Sequence, residues 1–155
     1  SQNNNFAALD GFAKLKAADL LFVSANPALK DVELDALIEL QNFQLYNNAG
    51  LLELRGLQSL RRVVKLLEVQ GNKQLARISG LGALEAVGTL ILYANEKLRA
   101  FSPATAARLR VVGGDFTFKF TGFIDFPQFP SLELVGGGSA SRTTWTWSLS
   151  RGSTT

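Results

Sequence analysis

Catalytic chemistry in this chain would have to come from carboxylates and hydroxyls, because its 155 residues include no histidine and no cysteine. Without histidine the commonest general base and metal ligand is missing, and without cysteine there are no disulfides or thiolate metal sites. The best candidates for a catalytic acid pair are Glu68 and Asp115. Nearly two of the repeats described below separate them in the sequence. A serine nucleophile would lack a histidine partner, which leaves only a Ser–Lys arrangement open. We therefore predict a protein that is not an enzyme and that has no cofactor and no metal site.

Four asparagines recur at a nearly constant spacing and define a repeat. They are separated by 22, 24 and 23 residues, at Asn26, Asn48, Asn72 and Asn95. This period is typical of leucine-rich and related solenoid repeats. The side-chain amide both donates and accepts hydrogen bonds, so it can satisfy backbone groups that stacked turns would otherwise bury unpaired. We predict a structural ladder of asparagines rather than a catalytic or metal-binding set.

Apolar residues occupy fixed positions on both sides of each asparagine. Five and three residues before it, they alternate as in a strand with one buried face. Those pairs are Leu21 and Val23, Phe43 and Leu45, Leu67 and Val69, and Leu90 and Leu92. Three and six residues after it, further apolar residues predict a second, shorter extended segment: Leu29 and Val32, Leu51 and Leu54, Leu75 and Ile78, and Leu98 and Phe101.

The repeat predicts a β-rich solenoid of about five to six turns of 22–25 residues with a parallel sheet. Links such as 56–63 and 80–87 place apolar residues three apart, which predicts one helical or 3₁₀ turn in each link. The same spacing at Phe6, Leu9, Phe12 and Leu15 predicts an N-terminal helical cap. We expect one domain: a cap at 1–18, repeats at 19–126, a C-terminal turn with a closing strand at 127–149, and a tail at 150–155.

A fifth copy is altered, because Thr121 stands about where the asparagine is expected and Gly113 with Gly114 replaces the tighter link. Many of the phenylalanines lie between Asp115 and Phe129, where a widened core layer is a better interpretation than a cofactor box. A sixth copy begins near Leu132. The strict alternation of 144–149 predicts the last strand, which would seal the core with Trp145, Trp147 and Leu149.

The complete repeat resembles the receptor L-domain family, a relative of the leucine-rich repeats. Its best copy is carried by Leu81, Leu84, Val87, Gly88, Leu90, Leu92, Asn95, Leu98 and Phe101. The stretches 109–118 and 132–137 are similar to the Val-Gly-Gly strand starts of cell-wall and surface members. The resemblance implies a right-handed, leucine-rich-repeat-like coil with a flat parallel sheet, used outside the cell for binding or for wall structure. The cysteine-rich modules and the kinase of the receptor members are absent from this sequence, so signalling is not implied.

The outward side chains of the predicted sheet form columns, with one residue from each turn. Tyr46 and Tyr93 lie in one column with Gln70 between them, and such amphipathic rings suit a protein or sugar surface. Apolar residues in these columns are expected to be exposed unless a partner covers them. The hypothesis is that this face binds a partner through Phe22, Gln44, Tyr46, Glu68, Gln70, Ile91, Tyr93 and Lys119.

Three functions fit these features. The first is an extracellular or cell-surface recognition or adhesion module that binds a protein or a glycan. The second is a structural component that self-associates or packs in a cell wall, coat or filament, and the third is a repeat scaffold inside the cell. The net charge of +3 is scattered, so nucleic acid is not an expected partner. No stretch reaches the ~20 apolar residues of a membrane span, and any targeting segment has been removed or lies outside this sequence.

Overall fold

The computed structural model describes residues 8–9, 11–101, 103–123, 127–136 and 147–148 of the chain. It shows a parallel-sheet β-solenoid of about five turns with almost no helix. The described residues include one short 3₁₀ helix, Pro103–Ala106. In chain order the strands are β1 (Ala8–Leu9), β2 (Ala17–Ser24), β3 (Asp31–Val32), β4 (Glu39–Tyr46), β5 (Glu53–Leu54), β6 (Arg62–Gln70), β7 (Arg77–Ile78), β8 (Ala86–Tyr93), β9 (Ala100–Phe101), β10 (Val111–Val112), β11 (Phe116–Lys119), β12 (Leu134–Val135) and β13 (Trp147–Ser148).

Each of the first four turns contributes a long strand to a main sheet and a two-residue strand to a smaller sheet. The main sheet runs in the order β12-β10-β8-β6-β4-β2, with β11 beside β8 and β13 beside β11. The smaller strands form a β5-β7-β9 sheet and a β1-β3 pair, and every pairing is parallel. Successive turns are 22, 23, 24, 25 and 23 residues long, as the paired positions Ala17, Glu39, Arg62, Ala86, Val111 and Leu134 show.

The core is a stack of apolar layers enclosed by the coil. In the third turn Leu67 and Val69 point inward from β6, and Leu75 and Ile78 point inward after the corner; all four are buried. The equivalent residues of the second and fourth turns are buried in the same way. Because leucine, valine and phenylalanine repeat at these positions, each turn buries its apolar side chains against the turns above and below.

The asparagines form a continuous hydrogen-bonded ladder at the corner that follows each long strand. The backbone N–H of Asn26 donates to Oδ1 of Asn48 (3.1 Å), that of Asn48 to Asn72 (2.9 Å), and that of Asn72 to Asn95 (3.0 Å). The side-chain amides of the last three donate to backbone carbonyls of the preceding turn. These three side chains are fully buried, whereas Asn26, on the outermost rung, is partly exposed.

A β-bulge in β6 contributes to the uneven spacing of the asparagines, because it adds one residue between the start of this strand and Asn72. Val64 and Lys65 together stand opposite the single residue Gln41 of β4 and opposite the single residue Gly88 of β8. A Cβ at Gly88 would lie 2.3 Å from the carbonyl oxygen of Lys65, so the bulge leaves no room there for a side chain. The extra residue therefore stays within one strand, and the corner asparagines remain in register.

The described residues do not form the predicted N-terminal helical cap. Instead, β1 pairs in parallel with β3 and places Leu9 opposite Val32, and residues 11–14 form a turn that leads into β2. Residues 1–7 and 10 lie outside the described residues. The links 56–63 and 80–87 are not helices either: each contains a single turn closed by one hydrogen bond, such as Leu60 N–H to the Leu57 carbonyl (3.1 Å). The later link between β9 and β10 holds the 3₁₀ helix Pro103–Ala106.

The phenylalanines of the last turns form an aromatic core layer, as expected for this stretch. Phe116 and Phe118 lie 4.9 Å apart between ring centroids, and both pack against Phe129. Phe101 and Phe123 complete the cluster with edge-to-face contacts. The sixth copy begins with β12, and β13 lies in the predicted closing strand, with Trp147 opposite Phe118. Residues 124–126, 137–146 and 149–155 lie outside the described residues, and with them the predictions for Trp145, Leu149 and the C-terminal tail.

Candidate functional site

The outward side chains of the main sheet form the outer face, in which each column takes one residue from every turn. The register places Phe22, Gln44, Glu68, Ile91 and Thr117 side by side. The neighbouring columns are Leu20, Asn42, Leu66 and Thr89 on one side, and Ser24, Tyr46, Gln70, Tyr93 and Lys119 on the other. Every residue of the hypothesised partner site therefore lies on this one face.

The outer face carries more apolar surface at its β2 end than an ordinary solvated sheet. Leu20 is 55% exposed and Phe22 is 52% exposed, although both are large apolar side chains. Leu66 and Ile91, further along the face, are half-buried. Isolated exposed apolar residues are common, but adjacent ones on a flat sheet mark a candidate contact surface.

Tyr46 is held rigidly at the centre of one cluster. Its hydroxyl donates to Oε2 of Glu68 and accepts from Nε2 of Gln44 at 2.9 Å. The ring packs edge to face against Phe22, with 5.6 Å between centroids. Tyr46 therefore contacts three other residues of the predicted site, and its ring is oriented before any partner arrives.

Tyr93 belongs to a second cluster, two strands along the same column. Its ring packs edge to face on Phe120 at 5.5 Å, and Nζ of Lys119 lies 5.1 Å from the centre of the Phe120 ring. Gln70 lies between the clusters, paired in register with both Tyr46 and Tyr93. Adjacent strands are about 4.8 Å apart, so the two tyrosines are about 10 Å apart across the sheet.

Phe120 is a residue of the outer face that the sequence interpretation placed with the core phenylalanines. It is 41% exposed and has a φ of 53°, a left-handed conformation that ends β11 and turns its side chain away from the core. Ala25, Asn47, Gly71 and Ala94 take positive φ at the same corner of earlier turns. The alignment of Thr121 with the asparagines carries the signal for this position, because Phe120 directly precedes Thr121 as the other positive-φ residues precede their asparagines.

Glu68 and Asp115 are not brought together as an acid pair. The column of Glu68 reaches Thr117 two strands away. Asp115 lies two positions before Thr117 and is therefore outside this column. The carboxylate of Glu68 instead accepts a hydrogen bond from the hydroxyl of Tyr46. Within the part of the chain that the structure describes, no group of three His, Cys, Asp or Glu residues is placed to hold a metal ion.

The environment of Tyr46 stabilises its protonated form. Burial, followed by the hydrogen bond to Glu68 and its negative charge, raises the pKa of Tyr46 from the usual 10.0 to about 12, while the hydrogen bond from Gln44 acts in the opposite direction. Since the folded pKa exceeds the unfolded one, protonated Tyr46 stabilises the fold at all pH values below about 10. That contribution is lost as the pH rises from about 10 to about 12.

Titration of Tyr46 provides a direct test of this contact. The chain has two tyrosines, so Tyr93→Phe leaves Tyr46 as the only phenol. Its phenolate absorbance is expected to appear with a midpoint near pH 12, and Glu68→Gln should lower that midpoint while burial keeps it above 10. Glu53→Gln, in the small sheet, is the matched control and should leave the midpoint unchanged. A titration midpoint near pH 10 in the Tyr93→Phe protein, while circular dichroism remains native, would contradict the contact between Tyr46 and Glu68.

None of the described residues forms a helix with the length and hydropathy needed to cross a lipid bilayer. Comparison with known proteins gives no match to a family model, to a curated protein or to a solved structure. A function is therefore inferred from the geometry and chemistry of the outer face.

Proposed function

We propose that the chain is a non-enzymatic recognition module that binds a protein or glycan partner through the outer face, outside the cell or at its surface. The observation that carries the proposal is the exposure of Phe22 and Leu20 beside the rigid cluster of Tyr46, Gln44 and Glu68. Exposed aromatic rings that are already oriented lose little entropy on binding, so they serve as anchors.

The mixture of groups on this face suits an amphipathic partner. Tyr46 and Tyr93 present apolar rings with polar tips, and Gln70 between them supplies a side-chain donor and acceptor. Such a surface contacts the apolar face of a sugar or the side chains of a protein while also hydrogen-bonding polar groups. The extracellular setting and a right-handed, receptor-L-domain-like coil are part of the proposal and are supported by the repeat pattern.

The test uses a double substitution, Tyr46→Ala with Tyr93→Ala, in a binding screen against immobilised glycans and purified cell-surface proteins. Each ring should contribute about 1.4 kcal/mol or more, so binding to any ligand that the wild type selects should weaken roughly 100-fold. The matched control is Leu52→Ala with Arg77→Ala. It removes the exposed side chain of Leu52, directly before β5, and that of Arg77 in β7, and it should bind as the wild type does.

Two measurements separate a lost site from a lost fold. The double variant should keep native circular dichroism and unfold cooperatively in urea at a lower midpoint than the control, because the core layers stay intact while the contacts of Tyr46 to Glu68, Gln44 and Phe22 are lost. Equal binding by the double variant and the wild type would refute the outer face as the partner site.

A further inference from the structure

The strand β2 is an edge of the main sheet that no other described strand covers. It stands at the end of the strand order, and within the described residues no strand pairs with its outer side. The preceding strand β1 pairs with β3 and not with β2. Over its eight residues β2 carries one charge, Asp19, and no proline. Sheet edges are ordinarily blocked by lysine, proline or bulges, and β2 has none of these along its length.

Backbone groups of β2 are available for pairing. The N–H of Ala25 donates to the carbonyl of Tyr46 in the next turn (3.0 Å), so Ala25 faces β4. Because alternate residues of a parallel strand bond to opposite neighbours, the N–H and C=O groups of Leu20, Phe22 and Ser24 face the open edge.

The core is also less completely covered at this end. Leu21 is only half-buried, whereas Phe43, its counterpart in β4, is fully buried. Val23 retains 6% exposure where Leu45 retains none. Another strand placed against β2 would cover these inward side chains and would contact Leu20 and Phe22 on the outer face.

We propose that two copies of this chain associate by antiparallel pairing of their β2 strands about a two-fold axis at Leu21. In this register Leu20 of one copy forms a hydrogen-bonded pair with Phe22 of the second copy, and the reverse pair repeats across the axis. Asp19 lies opposite Val23 of the second copy, so no like charges meet across the seam. The two exposed large apolar residues of β2 become cross-strand partners, and the β2 edge of each sheet is closed.

A second copy fits this edge better than an unrelated strand, because β2 is complementary to itself. The pairing places Leu20 opposite Phe22 in both halves, and the two-fold contact closes the β2 edge of both copies. The two outer faces become one continuous sheet surface, with the Tyr46 and Tyr93 clusters of each copy on the same side. A dimer of this kind presents the proposed partner site twice.

Light scattering with size-exclusion chromatography tests the pairing. The wild type should shift from the monomer mass to twice that mass as its concentration rises. Leu20→Lys with Phe22→Lys places lysines opposite each other across the seam and should be monomeric, and Leu20→Glu with Phe22→Glu should be monomeric for the same reason. Mixing the lysine and glutamate variants creates opposite-charge pairs and should restore a dimer that contains one copy of each.

The substituted side chains lie on the exposed outer face, so native circular dichroism is expected in both variants. Leu52→Lys changes another exposed leucine, at 60% exposure, and should leave the dimer intact. A wild type that stays monomeric at millimolar concentration overturns the proposal. A dimer that persists in the lysine variant, or a failure of the folded lysine and glutamate variants to associate when mixed, overturns it as well.

Discussion

Asn72→Ala is expected to lower the free energy of unfolding by about 3 kcal/mol, because it removes an internal rung of the ladder. Oδ1 of Asn72 accepts the backbone N–H of Asn48, and its amide donates to the carbonyls of Leu45 (2.9 Å) and Gln70 (3.0 Å). The variant leaves the buried N–H of Asn48 without its acceptor, at a cost of about 1–3 kcal/mol, and removes two further hydrogen bonds. Urea unfolding measures the loss, and the melting temperature should fall by roughly 10 °C.

The matched control for this prediction is Asn26→Ala on the outermost rung. Asn26 is partly exposed and its amide donates to the carbonyl of Ser24 in its own corner (2.9 Å), so water can replace much of what the variant loses. Its expected cost is about 1 kcal/mol. Equal losses at Asn26 and Asn72 would show that the ladder does not stabilise the stack through buried hydrogen bonds.

Gly56→Ala is expected to destabilise the fold by about 4 kcal/mol, from a strained backbone conformation and an unavoidable overlap. Gly56 is buried with φ of 81°, and a Cβ there would lie 1.7 Å from the carbonyl oxygen of Val32. The nearest atoms belong to the backbone of β3 and the residue that follows it, so no side-chain rotation can relieve the overlap. The carbonyl of Gly56 also accepts the N–H of Leu34 at 2.8 Å, which ties adjacent turns together.

Gly11→Ala is the control for Gly56→Ala, since nothing lies within 4 Å of a Cβ at that position. It should change the free energy of unfolding by less than about 0.5 kcal/mol. Both variants are compared by urea unfolding with the same baseline. Similar stability for the two alanine variants would mean that the close approach of Gly56 to β3 does not hold in solution.

The repeat could be predicted from the sequence because each inward position is occupied by the same kind of residue in every turn. The positions of Leu67, Val69, Leu75 and Ile78 around Asn72 were sufficient to predict a solenoid with a parallel sheet, which the structure shows. The register of the outer face follows from the same spacing. The bulge at Val64 could not be located, because one added residue anywhere between two asparagines gives the same spacing.

The helical cap and helical links were predicted from a three-residue spacing of apolar residues, and in a β-solenoid this spacing has another cause. Apolar residues three apart are typical of one face of a helix, but in this solenoid the inward residues around a corner are also three apart, as Leu29 and Val32 are. Leu9 belongs to that second pattern, since it pairs in register with Val32. Spacing alone therefore cannot distinguish a short helix from the corner of a β-solenoid.

The backbone-to-side-chain hydrogen bonds of the ladder all run in one direction: the N–H of each asparagine donates to Oδ1 of the asparagine in the next turn, from Asn26 to Asn95. Each rung therefore offers its neighbours an identical donor and an identical acceptor. A gene duplication that adds one complete turn, such as the 23 residues from Lys73 to Asn95, would join to its neighbours without leaving any of these groups unpaired. An insertion of another length within a corner would break the ladder. Chains built on this rung can consequently lengthen or shorten in whole turns while the chemistry of the stack stays unchanged.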